Sequence, residues 1–77
     1  MTMPVPVRVD RNLMRMLLRS EENAALLFGP QHAAALTRLL TVAQQHGQEV
    51  DVGTLKDGRK ETLIARVAGA ATWTCVR

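Results

Sequence analysis

Residues 48–67 read QEVDVGTLKDGRKETLIARV, and the Asp57-Gly58 pair near their middle decides what kind of fold this chain adopts. Tight hairpin turns need positive φ, which Gly adopts freely and Asp tolerates, so Asp-Gly between two alternating runs is a strong local signal for a β-hairpin. With Asp57 and Gly58 as the two central residues, Lys56 faces Arg59, Thr54 faces Glu61, Val52 faces Leu63 and Val50 faces Ala65. The apolar pairs then share one face. The other face pairs Gly53 with Thr62, Asp51 with Ile64 and Glu49 with Arg66, the last an opposite-charge pair that contributes a few tenths of a kcal/mol to ~1 kcal/mol.

Downstream, Ala68-Gly69-Ala70-Ala71 marks a second reversal before Thr72-Trp73-Thr74-Cys75-Val76. A three-residue loop sets Trp73 and Cys75 on the face of Leu63, Ala65 and Val67. A two- or four-residue loop sets them on the other face and turns Val76 inward. The first is favoured, because Trp73 is the largest apolar side chain available to a core.

Upstream the period changes. Leu36, Leu39, Leu40 and Ala43 form the apolar stripe of a helix over 30–46, with Pro30 at its first position, where a missing N–H costs nothing, and Gly47 suited to the left-handed C-terminal position. Asp10 is a cap for a helix starting at Arg11, in which Leu13, Met14, Leu17 and Leu18 make the buried face. Ser20-Glu21-Glu22 reads as the start of a second short helix ending at Phe28, although one bent helix over 11–28 fits the same residues. Before them, Val5, Val7 and Val9 alternate with Pro4, Pro6 and Arg8, which predicts a short edge strand whose prolines face outward and block further pairing. The expected architecture is α+β, β-α-(α)-α-β-β-β, with helices on one face of an antiparallel sheet of three or four strands. One domain covers 1–77, divided into an N-terminal strand (1–10), a helical part (11–47) and a β-meander (48–77).

With 77 residues the core is small, and a single cysteine, Cys75, rules out an internal disulfide. A homodimer is therefore an expected supplement. A lone thiol suits a reducing cytoplasm, and Cys75 in a strand beside Trp73 is expected to be buried and inert. No basic flank followed by an apolar run, and no stretch approaching the ~20 apolar residues of a membrane span, is present, so a soluble protein is expected.

The net charge of +3 is unevenly spread. Residues 1–19 hold four Arg against one Asp, residues 20–55 one Arg against four acids, and residues 56–77 five bases against two acids. Arg11, Arg15 and Arg19 form an i, i+4 row whose like charges repel by a few tenths of a kcal/mol per pair unless a negative group relieves them. Arg8 is expected to join this row from the preceding strand, and Glu22 to relieve Arg19. A second basic group, Lys56, Arg59 and Lys60, sits at the hairpin tip beside Asp57 and Glu61. These seven bases, Arg8, Arg11, Arg15, Arg19, Lys56, Arg59 and Lys60, are the candidate partner-binding residues.

Other chemistry is poorly represented. His46, Glu49 and Asp51 straddle a helix end and a strand, the wrong spacing for shared metal ligation. His32 has no nearby Asp, Ser or Cys to complete a relay and is expected at the surface. Nucleotide-binding and nucleophile-elbow patterns are absent. The expectation is a non-enzymatic regulatory or accessory protein, without cofactor or metal, that binds a macromolecule, above all another protein. The order of elements also resembles that of winged-helix DNA-binding domains, with 11–28 as the earlier helices, 30–46 as recognition helix and 49–67 as wing. That resemblance implies DNA binding, but the helix over 30–46 carries one Arg and no Lys, few groups for reading base edges.

Overall fold

Asp10 ends the first strand and starts the first helix with one side chain: its carboxylate accepts a hydrogen bond from the Leu13 N–H at 2.8 Å. The computed structural model describes residues 5–77, so the role expected of Pro4 lies outside the described residues. The elements are β1 (Val7–Val9), α1 (Arg11–Arg19), α2 (Glu21–Phe28), α3 (Ala33–Gln45), β2 (Val50–Asp57), β3 (Lys60–Val67) and β4 (Thr74–Cys75). The expected α+β order is thus observed, with four antiparallel strands in the order β1-β2-β3-β4 and β1 at an edge. The Cα radius of gyration, 11.7 Å, is close to the ~11.5 Å expected for one compact domain of this length.

Residues 11–28 form two helices. The break is at Ser20, whose extended backbone (φ −153°, ψ 127°) closes α1 while its hydroxyl accepts from the Glu22 N–H at 3.3 Å to open α2. The third helix begins three residues later than the sequence predicts. Pro30, Gln31 and His32 form a tight turn, with His32 N–H donating to the Gly29 carbonyl at 3.1 Å, and the helical ladder starts only with Leu36 N–H to the His32 carbonyl at 3.0 Å. At the other end Gly47 (φ +64°) plays the expected part. Its N–H donates to the Gln44 carbonyl at 3.1 Å and that of Gln48 to Ala43 at 2.9 Å, the paired bonds of a Schellman motif.

The hairpin forms, in a different register from the one predicted. Asp57 pairs with Lys60, Lys56 with Glu61, Thr54 with Leu63, Val52 with Ala65, Asp51 with Arg66 and Val50 with Val67, so the turn is Gly58-Arg59. Gly58 has φ +63° and Arg59 does not have positive φ, which is the pattern of a type II′ turn with Gly first. The physical gain is electrostatic. The predicted register sets Lys56 against Arg59, whereas the observed one sets three opposite charges across from each other, each pair worth about 0.2–1 kcal/mol. Because the shift is by two positions, every side chain keeps its face.

The inward face of the sheet and the helices share one core. Val9, Leu17, Leu36, Leu40, Val52 and Leu63 are almost completely removed from solvent, with Met14, Ala24, Phe28, Ala33, Ala43, Val50 and Ala65 around them. Truncating a residue such as Leu36 to Ala is expected to cost about 2–5 kcal/mol, a large part of the roughly 4–12 kcal/mol a domain of this size has available. The last strand corrects a second expectation. Cys75 pairs with Ile64 and Thr74 with Ala65, so Trp73 and Cys75 belong to the outer face, while Val76 turns inward and packs on the core. Six residues, not three, connect β3 and β4.

Candidate functional site

The outer face of the sheet is organised around Asp51. Flanked by two inward valines, it is only 1% exposed, although its alternation places it away from the core. Its carboxylate accepts from Arg8 on β1, from Arg66 Nε on β3 at 2.9 Å, and from the Gly69 N–H at 3.1 Å. Arg66 is itself held: its guanidinium donates to the Ala70 carbonyl at 2.8 Å and lies over the Trp73 ring, 4.5 Å from the centroid. The hydrogen bond from Arg8 is the main reason the Asp51 carboxyl is held down at about 2, with Gly69 and Arg66 adding to it against the opposing effect of burial. The same bond raises the Arg8 guanidinium above its ordinary value.

This cluster explains why Trp73 leaves the core. On the outer face it covers the Arg66 guanidinium, a cation–π contact worth ~0.5–2 kcal/mol depending on desolvation. It also removes Arg8 from the arginine row: Arg8 is on the outer face of the sheet, committed to Asp51, and does not extend the surface of α1. The sequence missed the cluster because the predicted turn paired Asp51 with Ile64. One signal was present, an acid between two valines in a strand, where Asp is disfavoured without a partner.

At the hairpin tip, all of Lys56 to Lys60 is exposed. Lys60 lies opposite Asp57 and Lys56 opposite Glu61 across the ladder, so Arg59 is the one tip base without an acid directly across from it. Glu61 is drawn further in by the turn before α3: it accepts from His32 at 2.9 Å and, at 3.5 Å, from the Gln31 amide. His32, expected at the surface, is 8% exposed, because the turn that delays α3 lays its ring against β3.

The row on α1 differs from both. Arg11, Arg15 and Arg19 follow one another along the exposed side of the helix, with buried Leu17 on the opposite side and buried Met14 at the edge of the row. Among the described residues the ion pairs are Arg8 with Asp51, Arg66 with Asp51 and His32 with Glu61, and none uses a member of this row. The relief of Arg19 by Glu22 that the sequence suggests does not form. Of the seven candidate bases, then, one is consumed by the outer face, two lie opposite acids at the tip, Arg59 sits in the turn itself, and three stand together on one rigid helix.

The remaining reactive groups are dispersed. Cys75, expected to be buried, is exposed, a consequence of β4 facing Ile64 rather than Leu63. His46 donates from Nδ1 to the Val42 carbonyl at 2.9 Å, and Glu49 accepts from the Arg11 N–H at 3.2 Å. With Asp51 committed to its arginines, His46, Glu49 and Asp51 do not converge. No helix among the described residues is long and apolar enough to cross a membrane. Comparison with protein-family models, with curated proteins and with solved structures finds no match.

Proposed function

We propose that this domain is a non-enzymatic accessory or regulatory protein that acts by binding another macromolecule, a protein presenting an acidic surface to α1. The observation that carries the reading is the division of labour among the arginines. Arg8 and Arg66 are spent on Asp51, while Arg11, Arg15 and Arg19 are exposed along one stripe without an ion-pair partner among the described residues. Guanidinium groups form bidentate bonds with carboxylates, and a repulsive row of them is relieved by a negative surface.

The winged-helix reading draws on the hairpin as a wing. Against it, the tip bases Lys56 and Lys60 face acids across the ladder. The exposed side of α3 offers one cation, Arg38, and the hydroxyls of Thr37 and Thr41 are bonded to the carbonyls of Ala33 and Thr37 at 2.8 Å each. Replacing Arg11, Arg15 and Arg19 together by Gln is expected to weaken capture of a protein partner from a nuclease-treated lysate by well over tenfold, because charges fixed on a helix lose less entropy on contact than charges on a loop. The same change at Lys56, Arg59 and Lys60 is expected to cost less. Loss confined to the tip variant, together with duplex-DNA binding that falls steeply with salt, would replace this reading with the nucleic-acid one.

A further inference from the structure

We infer that the cleft between the start of α1 and the end of α3 is a carboxylate-binding site, which seats an acidic side chain of the partner protein between Arg11 and Arg15 on one wall and Gln44 and Gln48 on the other. The inference rests on the reading of α1 above and goes further, because it makes two of the three arginines, and two glutamines outside the row, the recognition groups.

The cleft has a volume of about 150 Å³, and its lining is completed by Met14 and Gly47. Three features give it binding chemistry. Its polar side chains are uncommitted: among the described residues, the guanidinium groups of Arg11 and Arg15 and the amides of Gln44 and Gln48 make no hydrogen bond within the chain, and all four belong to the lining of the same cleft. Four side chains that carry donor groups line this one small space, which matches a carboxylate with its two oxygens and about four lone-pair sites.

The second feature is the floor. Met14 is buried, so one side of the cleft is apolar and strengthens hydrogen bonds made above it. Third, the backbone at the end of α3 does not oppose an anion as strongly as an open helix terminus would. The Gly47 and Gln48 N–H groups already satisfy the Gln44 and Ala43 carbonyls, and Gly47 leaves the wall open, since a Cβ there would meet nothing within 4 Å. The nearby acids are turned to α1 itself: Glu49 accepts from the Arg11 N–H and Asp10 from the Leu13 N–H. Neither acid pairs with a guanidinium of the cleft, so the arginines can direct hydrogen bonds to an incoming group. Such directed bonds favour a planar carboxylate over a diffuse polyanion.

The test is a side-chain NMR titration of the intact chain with three probes: a C-terminally amidated hexaglutamate peptide, a hexaglutamine peptide with a free C-terminal carboxylate, and inorganic phosphate. Hexaglutamate is expected to shift the Gln44 and Gln48 side-chain amides and the Arg11 and Arg15 Nε–H groups together. Arg11→Gln and Arg15→Gln are expected to weaken this binding about tenfold each, Gln44→Leu or Gln48→Leu about threefold, and Arg19→Gln less than about twofold, in keeping with charged against neutral hydrogen bonds. Circular dichroism checks that each variant is folded. If all three arginine variants weaken hexaglutamate binding equally and the glutamine variants leave it unchanged, the arginine row survives as the binding surface and the cleft is overturned. Absence of shifts at millimolar hexaglutamate overturns the cleft, as does a response to phosphate alone. A response to the free C-terminal carboxylate alone overturns the acidic side chain as its occupant.

Discussion

Replacing Asp51 by Asn keeps the shape of the side chain and removes its charge. In the native protein this carboxylate receives Arg8, Arg66 and the Gly69 N–H, and it is nearly inaccessible to water. The amide that replaces it has one oxygen to offer, and its NH₂ group turns donors toward donors. Hydrogen bonds to a charged group contribute about 1.5–3 kcal/mol each when well desolvated. The side chain of Arg8, however, is 55% exposed against 24% for Arg66, so its share is discounted for competition with water. A total loss of about 2–4 kcal/mol follows for Asp51→Asn, below the upper end measured for breaking fully buried pairs because both arginines regain solvent.

Single arginine replacements should rank in the same way. Arg66→Ala removes the Asp51 bond, the bond to Ala70 and the contact with Trp73, and should cost more than Arg8→Ala. Urea unfolding followed by far-UV circular dichroism measures both, read as a change in midpoint at constant slope. The effect also has a pH signature. The carboxyl is held at about 2 in the fold against an ordinary 3.8, so the ionised form stabilises the native state. That contribution is complete above about pH 5 and is lost as pH falls toward 2, so the gap between wild type and Asp51→Asn should close across that window. A midpoint for Asp51→Asn within about 0.5 kcal/mol of wild type at pH 7, the size of an ordinary surface substitution, would refute the reasoning. So would a gap that does not change with pH.

Other expectations concern the turn, the thiol and assembly. Gly58→Val forces a β-branched residue to φ +63° in open space, a conformational cost of about 1–3 kcal/mol, whereas Asp57→Ala loses one cross-strand pair and should stay below ~1 kcal/mol; equal and negligible shifts in denaturant midpoint would count against the type II′ turn. Cys75 should react stoichiometrically with a thiol reagent in the folded protein, and protection that persists until denaturant is added would show that its strand faces the core after all. Self-association is expected from the small core together with exposed Leu26 and Leu27 on α2, Val7 in β1 and Val5 just before it, of which Leu26 is 85% exposed; sedimentation of a cooperatively folded 8.5 kDa monomer at high micromolar concentration would rule it out.

Much of the architecture is local and was legible before any tertiary contact is considered. The Asp10 and Ser20 caps act within three residues of their own positions, and Gly47 satisfies carbonyls of the turn just before it. The apolar stripes of α1 and α3 and the alternation of β2 and β3 encode which side is buried. The arginine row is a property of helical periodicity, and it too was visible in the sequence.

What tertiary structure decided are the choices between registers that local preference leaves nearly equal. Asp57-Gly58 and Gly58-Arg59 are both acceptable turns around the same glycine. The second wins because it places Asp51 opposite Arg66 at the far end of the hairpin, 15 residues apart in sequence, while β1 brings Arg8 from 43 residues away. Once those charges are together, Arg66 draws Trp73 to the outer face, β4 carries Cys75 out and Val76 in, and Arg8 is lost to the surface of α1. His32 is buried because Glu61 occupies the facing position on β3. Electrostatic pairs between distant strands are worth only ~1 kcal/mol each, too little to be read from one segment, yet a few of them acting together outweigh the small differences between alternative turns and loop lengths.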